Sequence, residues 1–157
     1  MKSDLDRLMR ERDLNAFVVA GPAHGNPAMY YMTNGASLTR GYVIQRRGEE
    51  PILLCSPMER DEAAASGLTV VSLNKYDFLS ILREEGDQLA ATVELYRRIF
   101  ADLAVSGRVG FYGRADQGHA WILLNALDAQ LEGITVCGDF EMTLIEGVLC
   151  DIQMKAG

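Results

Sequence analysis

The chain has 157 residues, 48% hydrophobic and 24% charged, the size and balance of one globular domain that can bury a substantial core. Fifteen basic residues against 22 acidic ones leave a formal net charge of -7, which argues against nucleic acid or an anionic membrane as the main partner. The apolar runs 16–20 and 52–55 fall far short of the ~18 residues of a membrane span, and the opening Met1-Lys2-Ser3-Asp4 turns acidic at once, unlike a signal peptide, so a cytoplasmic location is expected.

In chain order, Ser3 is placed to cap a first helix with Leu5, Leu8 and Met9 as its apolar stripe. Ala16 to Ala20 reads as a buried strand closed by Gly21-Pro22. After a loop, Asn26-Pro27 has the form of an N-cap followed by proline at the first helical position, opening a short helix that stops at Asn34-Gly35. Gly41 to Arg47 and Pro51 to Cys55, separated by Gly48-Glu49-Glu50, predict an antiparallel hairpin. Ser56-Pro57-Met58-Glu59 combines a cap, a first-turn proline and a capping-box glutamate, predicting a helix that runs to Gly67.

Leu68 to Leu73 is a further strand, and Asp77 opens a helical region that Gly86-Asp87 interrupts and re-caps. Beyond it, Leu89, Val93, Tyr96, Phe100 and Leu103 keep the three-and-four spacing of a helix packed on a sheet. Arg108 to Tyr112 predicts a strand, Asp116 to Leu131 a helix ending near Gly133, and Ile134 to Cys137 a last strand. Asp139 is expected to cap a final helix with Met142, Ile145 and Leu149 on its stripe. An early hairpin followed by strand-helix alternation predicts an α/β fold, a mixed sheet of about six strands with helices on both faces.

The chemistry-bearing motifs are mostly missing. There is no GxxxxGK[ST], no GxSxG and no HExxH, and Gly110-Phe111-Tyr112-Gly113 lacks the spacing of a dinucleotide loop. The two histidines, His24 and His119, lie far apart, and Cys55, Cys137 and Cys150 show no CxxC pattern, so buried free thiols are expected in place of a zinc site or disulfide. No catalytic residue and no metal ligand is predicted for this chain. His119, beside Trp121, reads as a surface histidine. Arg46-Arg47 and Arg97-Arg98 read as solvated faces, and Arg40 could meet a carboxylate. Glu59, Asp61 and Glu62 are explained by the helix dipole.

The loop Gly21-Pro22-Ala23-His24-Gly25-Asn26-Pro27 leaves the carboxyl end of the first strand, where ligands of open α/β sheets tend to bind. In one reading His24 and Asn26, with Tyr30 or Tyr31, face a substrate or partner. In the other the loop is an ordinary turn, Asn26 only caps a helix and the tyrosines are half-buried.

The order of these motifs resembles the N-terminal domain of the creatinase/prolidase family of metallopeptidases, which includes the Xaa-Pro peptidases. The resemblance rests on the strand containing Asn15-Ala16-Phe17-Val18-Val19, the proline-containing loop, the segment Met29-Tyr30-Tyr31-Met32-Thr33-Asn34-Gly35 and the hairpin. Tyr31-Met32-Thr33 matches the Y-L-T of the family's N-I-x-Y-L-T-G-F pattern, and Asn34-Gly35 replaces its glycine and aromatic. The resemblance implies a domain over 1–150 and, in 151–157, the start of a linker to a C-terminal catalytic domain, or a tail. Lys155 fits the Lys-Asp pair of the family's connecting helix, and Ala156 and Gly157 do not continue it.

It also implies that two divalent metal ions, held by two Asp, one His and two Glu, belong to that other domain, leaving this chain without a cofactor. The expected role here is support of a homodimer and walling of the substrate cleft by Tyr30, Tyr31 and Thr33, with His24 and Asn26 beside them. A peptide substrate is expected only for the full-length protein. The alternative is a free-standing module of the same fold that binds a protein or peptide.

Overall fold

The computed structural model describes residues 2–141 and 143–148. Six strands form one mixed sheet: β1 (Ala16–Gly21), β2 (Gly41–Arg46), β3 (Ile52–Cys55), β4 (Thr69–Ser72), β5 (Gly107–Gly113) and β6 (Ile134–Cys137), in the order β4-β3-β2-β1-β5-β6. The β1–β2 and β2–β3 pairs are antiparallel, as the hairpin predicts. The β1–β5, β5–β6 and β3–β4 pairs are parallel.

Strand alternation sends β1 into two cores. Phe17 and Val19 face one side, where α1 (Lys2–Glu11), α2 (Pro27–Met32) and α3 (Arg60–Ala65) pack through Leu5, Leu8, Met9, Met29, Met32 and Ala63. Ala16 and Val18 face the other, covered by α4 (Phe78–Glu85), α5 (Gln88–Asp102) and α6 (Gln117–Gln130). There Tyr42, Tyr96, Phe100 and Phe111 meet in edge-on and tilted ring contacts at centroid distances of 5.6 to 6.4 Å, a geometry that suits the ring quadrupoles. Helices on both faces of a mixed six-stranded sheet are what the sequence predicts.

Local capping chemistry holds at most helix starts. Asn26 accepts from Met29 N–H at the start of α2, Asp77 from Ser80, Asp87 from Ala90 and Asp116 from His119, each using one of the unpaired amides of a first turn. Gly86, with φ of 70°, closes α4.

Four expectations are corrected. The helix predicted from Ser56 is a 3₁₀ turn over Pro57–Glu59 followed by α3, and Glu59 does not close a capping box. Its carboxylate instead takes the N–H and the hydroxyl of Thr39, because that exposed loop offers two donors where the box offers one. Glu62 is likewise drawn to Ser37 N–H. Asp139 does not cap the final helix; it accepts from Tyr112 at 2.8 Å and pairs with Arg12 at 3.3 Å. The chain is helical over 144–148, where Thr143 and Glu146 exchange side chain-to-backbone bonds in a capping box.

Ser3 lies within α1 and not before it. Arg47 is not simply a solvated residue: it is half-buried and donates to the Leu14 carbonyl at 3.2 Å. Met142, Leu149, Cys150 and the segment 151–157, with the boundary placed at 150, lie outside the described residues.

Candidate functional site

β1 and β5 run parallel and adjacent, with Ala20 opposite Gly113 at their carboxyl ends. From there the chain leaves β1 toward α2 on one face and β5 toward α6 on the other. Such a divergence opens a crevice at the strand ends, the usual binding position in open α/β sheets. The two strand ends approach so closely that a Cβ at Gly113, where φ is 118°, would overlap the Ala20 carbonyl oxygen. Only glycine tolerates that backbone without strain.

Beside this point an open groove of about 660 Å³ is lined by Ala23, Gly25, Asn26, Pro27, Tyr30, Tyr31, Asn34 and Gly35. Its wall is mainly apolar, with a few polar groups at the rim, the usual make-up of a small-ligand or peptide site. Tyr30 is 62% exposed. Its ring lies against Gly35, 3.2 Å from where a Cβ would stand there. Tyr31 is half-buried and packs on the core beneath α2. Burial, and then the nearby Asp4 carboxylate, raises its phenol above the usual tyrosine range.

The five residues singled out from the sequence hold different positions. Asn26, Tyr30 and Tyr31 line the groove. Asn26 is 2% exposed, and both ends of its amide are occupied: Nδ2 donates to Ala20 O at 3.0 Å and Oδ1 accepts from Met29 N–H at 3.3 Å. It ties the end of β1 to the start of α2 and presents little beyond its shape. Thr33 is fully buried, donating to the Met29 carbonyl at 2.7 Å, and faces the core and not the groove. His24 is exposed on the loop, outside the set of lining residues.

Arg114 escaped the sequence reading. Its guanidinium donates to the Gly25 carbonyl at 2.7 Å and its backbone N–H to Ala20 O at 3.3 Å, so it fastens the loop from the β5 side. In the sequence its one signal is its place just after Gly113, at the end of a strand. Below it on β5, Tyr112 is raised above the usual tyrosine range by burial and by its hydrogen bond to Asp139.

Two further candidates lie on the surface. His119 is exposed, with its backbone N–H on Asp116. Arg97 and Arg98 pair with Glu94 on the surface of α5. Cys55 is buried and Cys137 half-buried, both free. Among the described residues no three His, Cys, Asp or Glu side chains come together as a metal-ligand set, and no helix is long and apolar enough to cross a membrane.

The family model described as "Creatinase/Prolidase N-terminal domain" matches residues 2–143. Among solved structures, an X-Pro aminopeptidase from Thermotoga maritima superposes with a TM-score of 0.60 at 11% identity, over 98% of this chain and 36% of that one. The prolidase from Pyrococcus furiosus gives 0.58 at 17% identity, over 94% of this chain and 36% of that one. The N-terminal domain of the cytoplasmic peptidase PepQ from Mycobacterium tuberculosis gives 0.55 at 19% identity, over 88% of this chain and 91% of that one. This chain thus spans about a third of the length of the first two. No curated protein matches it.

Proposed function

The chain belongs to the creatinase/prolidase N-terminal domain family, and from that premise we propose that it is the accessory domain of a metal-dependent Xaa-Pro peptidase. In this role it supports a homodimer and walls the substrate cleft, while a separate C-terminal domain holds two divalent metal ions that activate water for amide hydrolysis. The observation that carries the proposal is the reach of the family match, which takes in residues 2–143 and so nearly all of the fold. The groove beside α2 supports the cleft-wall role. Tyr30 presents an exposed ring on a short helix that Asn26 and Arg114 anchor, and an aromatic surface of this kind orients an apolar peptide side chain and keeps water from it.

The chemical step then lies outside this chain, and the side chains here act on binding. Tyr30→Ala is the cleanest test, because its ring is exposed and its loss leaves the core intact. In the full-length enzyme this substitution is expected to raise KM for Xaa-Pro peptides several-fold and leave metal content unchanged. Loss of metal, or an unchanged KM across peptide lengths, contradicts the cleft-wall role.

A further inference from the structure

Helix α6 carries two apolar stripes, and the sheet uses only one. Leu127 is fully buried, and Leu123, Leu124 and Ala126 pack partly against the core beside it. The other stripe, Gly118, Trp121, Ile122, Asn125 and Ala129, keeps the three-and-four spacing of one helix face and lies in solvent. Trp121 is 70% exposed and Ile122 50%. Between Asp116 and Asp128 the helix has no Asp, Glu, Lys or Arg. Those two aspartates are turned to backbone amides, Asp116 to His119 N–H at 3.1 Å and Asp128 to Val136 N–H at 2.9 Å. The Asn125 side chain donates to Trp121 O at 2.7 Å, so the one amide on the stripe is bonded within its own helix.

An exposed indole beside an exposed isoleucine marks a contact surface, and the absence of charge selects its occupant. With a net charge of -7, copies of this chain repel one another over most of their surface, and an uncharged face is where that repulsion is least. A basic partner would instead be met by carboxylates. The last described residues also point away from a following domain as the occupant. Leu144, Ile145 and Val148 join the core under α1 and α2, across the sheet from α6. The stripe is moreover self-complementary. Antiparallel pairing about a twofold axis between Leu123 and Leu124 sets Trp121 against the partner's Ala126, Ile122 against the partner's Asn125 and Gly118 against the partner's Ala129, large side chains mostly meeting small ones. We propose that α6 packs on α6 of a second copy of this chain, with Trp121 as the anchor. Such a pair would be the contact of the homodimer in the peptidase reading, and it rests on that reading for its setting alone. The 14 residues of α6 span about 21 Å, and a contact of that length about 10 Å wide falls short of the ~800 Å² per partner of a stable interface. The pair is therefore weak in this chain alone, with Kd on the order of 100 μM.

The test is sedimentation equilibrium of the whole chain up to about 1 mM, an order of magnitude above that Kd, with fluorescence recorded alongside. Trp121 is the single tryptophan, so its emission reports the contact directly. A monomer–dimer equilibrium is expected, with the emission moving to shorter wavelength over the same range of concentration. Trp121→Ala should weaken association at least about tenfold. Ile122→Glu, which places two carboxylates near the twofold axis, should do the same and keep the emission of an exposed indole at every concentration. Both positions are exposed, so both variants should retain the circular dichroism of the parent chain, and Tyr30→Ala should leave association unchanged. A monomer throughout, a dimer whose formation leaves the Trp121 emission unmoved, or a dimer that survives both variants overturns the inference. None of these results touches the KM of the Tyr30→Ala enzyme, on which the cleft-wall reading stands or falls.

Discussion

At the carboxyl ends of β1 and β5 the polar groups are mostly buried and tied to one another, whereas at the amino ends bonded groups sit beside exposed ones. Around the groove, Asn26 uses both ends of its amide and Arg114 lies on a backbone carbonyl, while Thr33 beneath is bonded to its own helix. At the amino ends, Asn15 and Arg47 are bonded to the backbone, and Arg46 is exposed with a long ion pair, 3.7 Å to Glu49. Buried polar groups are costly unless paired, so the first arrangement fixes a shape, while the exposed groups at the second are satisfied by water. A conspicuous polar residue in a loop is thus a weak guide to binding until its partners are counted. Asn26 builds the groove that Tyr30 presents.

This contrast can be broken most forcefully at Gly113. In Gly113→Ala the new methyl meets the Ala20 carbonyl on a backbone with φ of 118°, and the cost is expected to be at least about 3 kcal/mol. Urea denaturation measures it, and a near-neutral variant removes the claim that the strand ends interlock. Next is Asn26→Ala, which strips a helix cap and leaves the Ala20 carbonyl short of a donor. A loss of about 2 to 3 kcal/mol is expected. Asn26→Asp keeps the cap but not the donor, and its stability should fall between the two.

The alkaline limb sharpens the comparison further. Burial raises the phenols of Tyr42, Tyr76, Tyr96 and Tyr112 in the folded state. Each therefore contributes stability that is complete below the unfolded value of ~10 and declines as pH rises above it toward the folded value. Each tyrosine adds a slope of up to about 1.4 kcal/mol per pH unit in that range. Tyr112→Phe should lower stability at neutral pH by removing the bond to Asp139, and should make the decline above pH ~10 shallower by one tyrosine's share. An unchanged slope contradicts the raised phenol. The smallest effect is expected at the other pole, where Arg46→Gln should alter stability by less than about 0.5 kcal/mol, since its ion pair is long and exposed. A larger loss would give Arg46 a structural role and blur the contrast.

Much of the fold was legible because its signals are local. Asn26-Pro27, Asp87 and Asp116 act within their own first turns, and alternation along β1 fixes both cores. What escaped depends on partners far along the chain. Glu59 meets Thr39 across 20 residues, Asp139 meets Tyr112 across 27, Arg47 meets Leu14 across 33 and Arg114 meets Gly25 across 89. A capping-box motif states only that Glu59 could fold back on its own turn. Whether a better pair of donors waits on another loop is decided by the sheet, which no local pattern encodes. The same limit applies to the site: Tyr30 and Tyr31 could be marked as candidates, but which of them faces out depends on how α2 sits against β1 and β5.

The accessory-domain account is tested most directly by reading the coding sequence beyond the codon for Gly157. The account predicts an open frame that continues through a second domain carrying, in order, two Asp, one His and two Glu as ligands for two metal ions. A stop codon directly after Gly157 would contradict it and leave a self-standing binding module, whose groove beside α2 would then need a partner of its own.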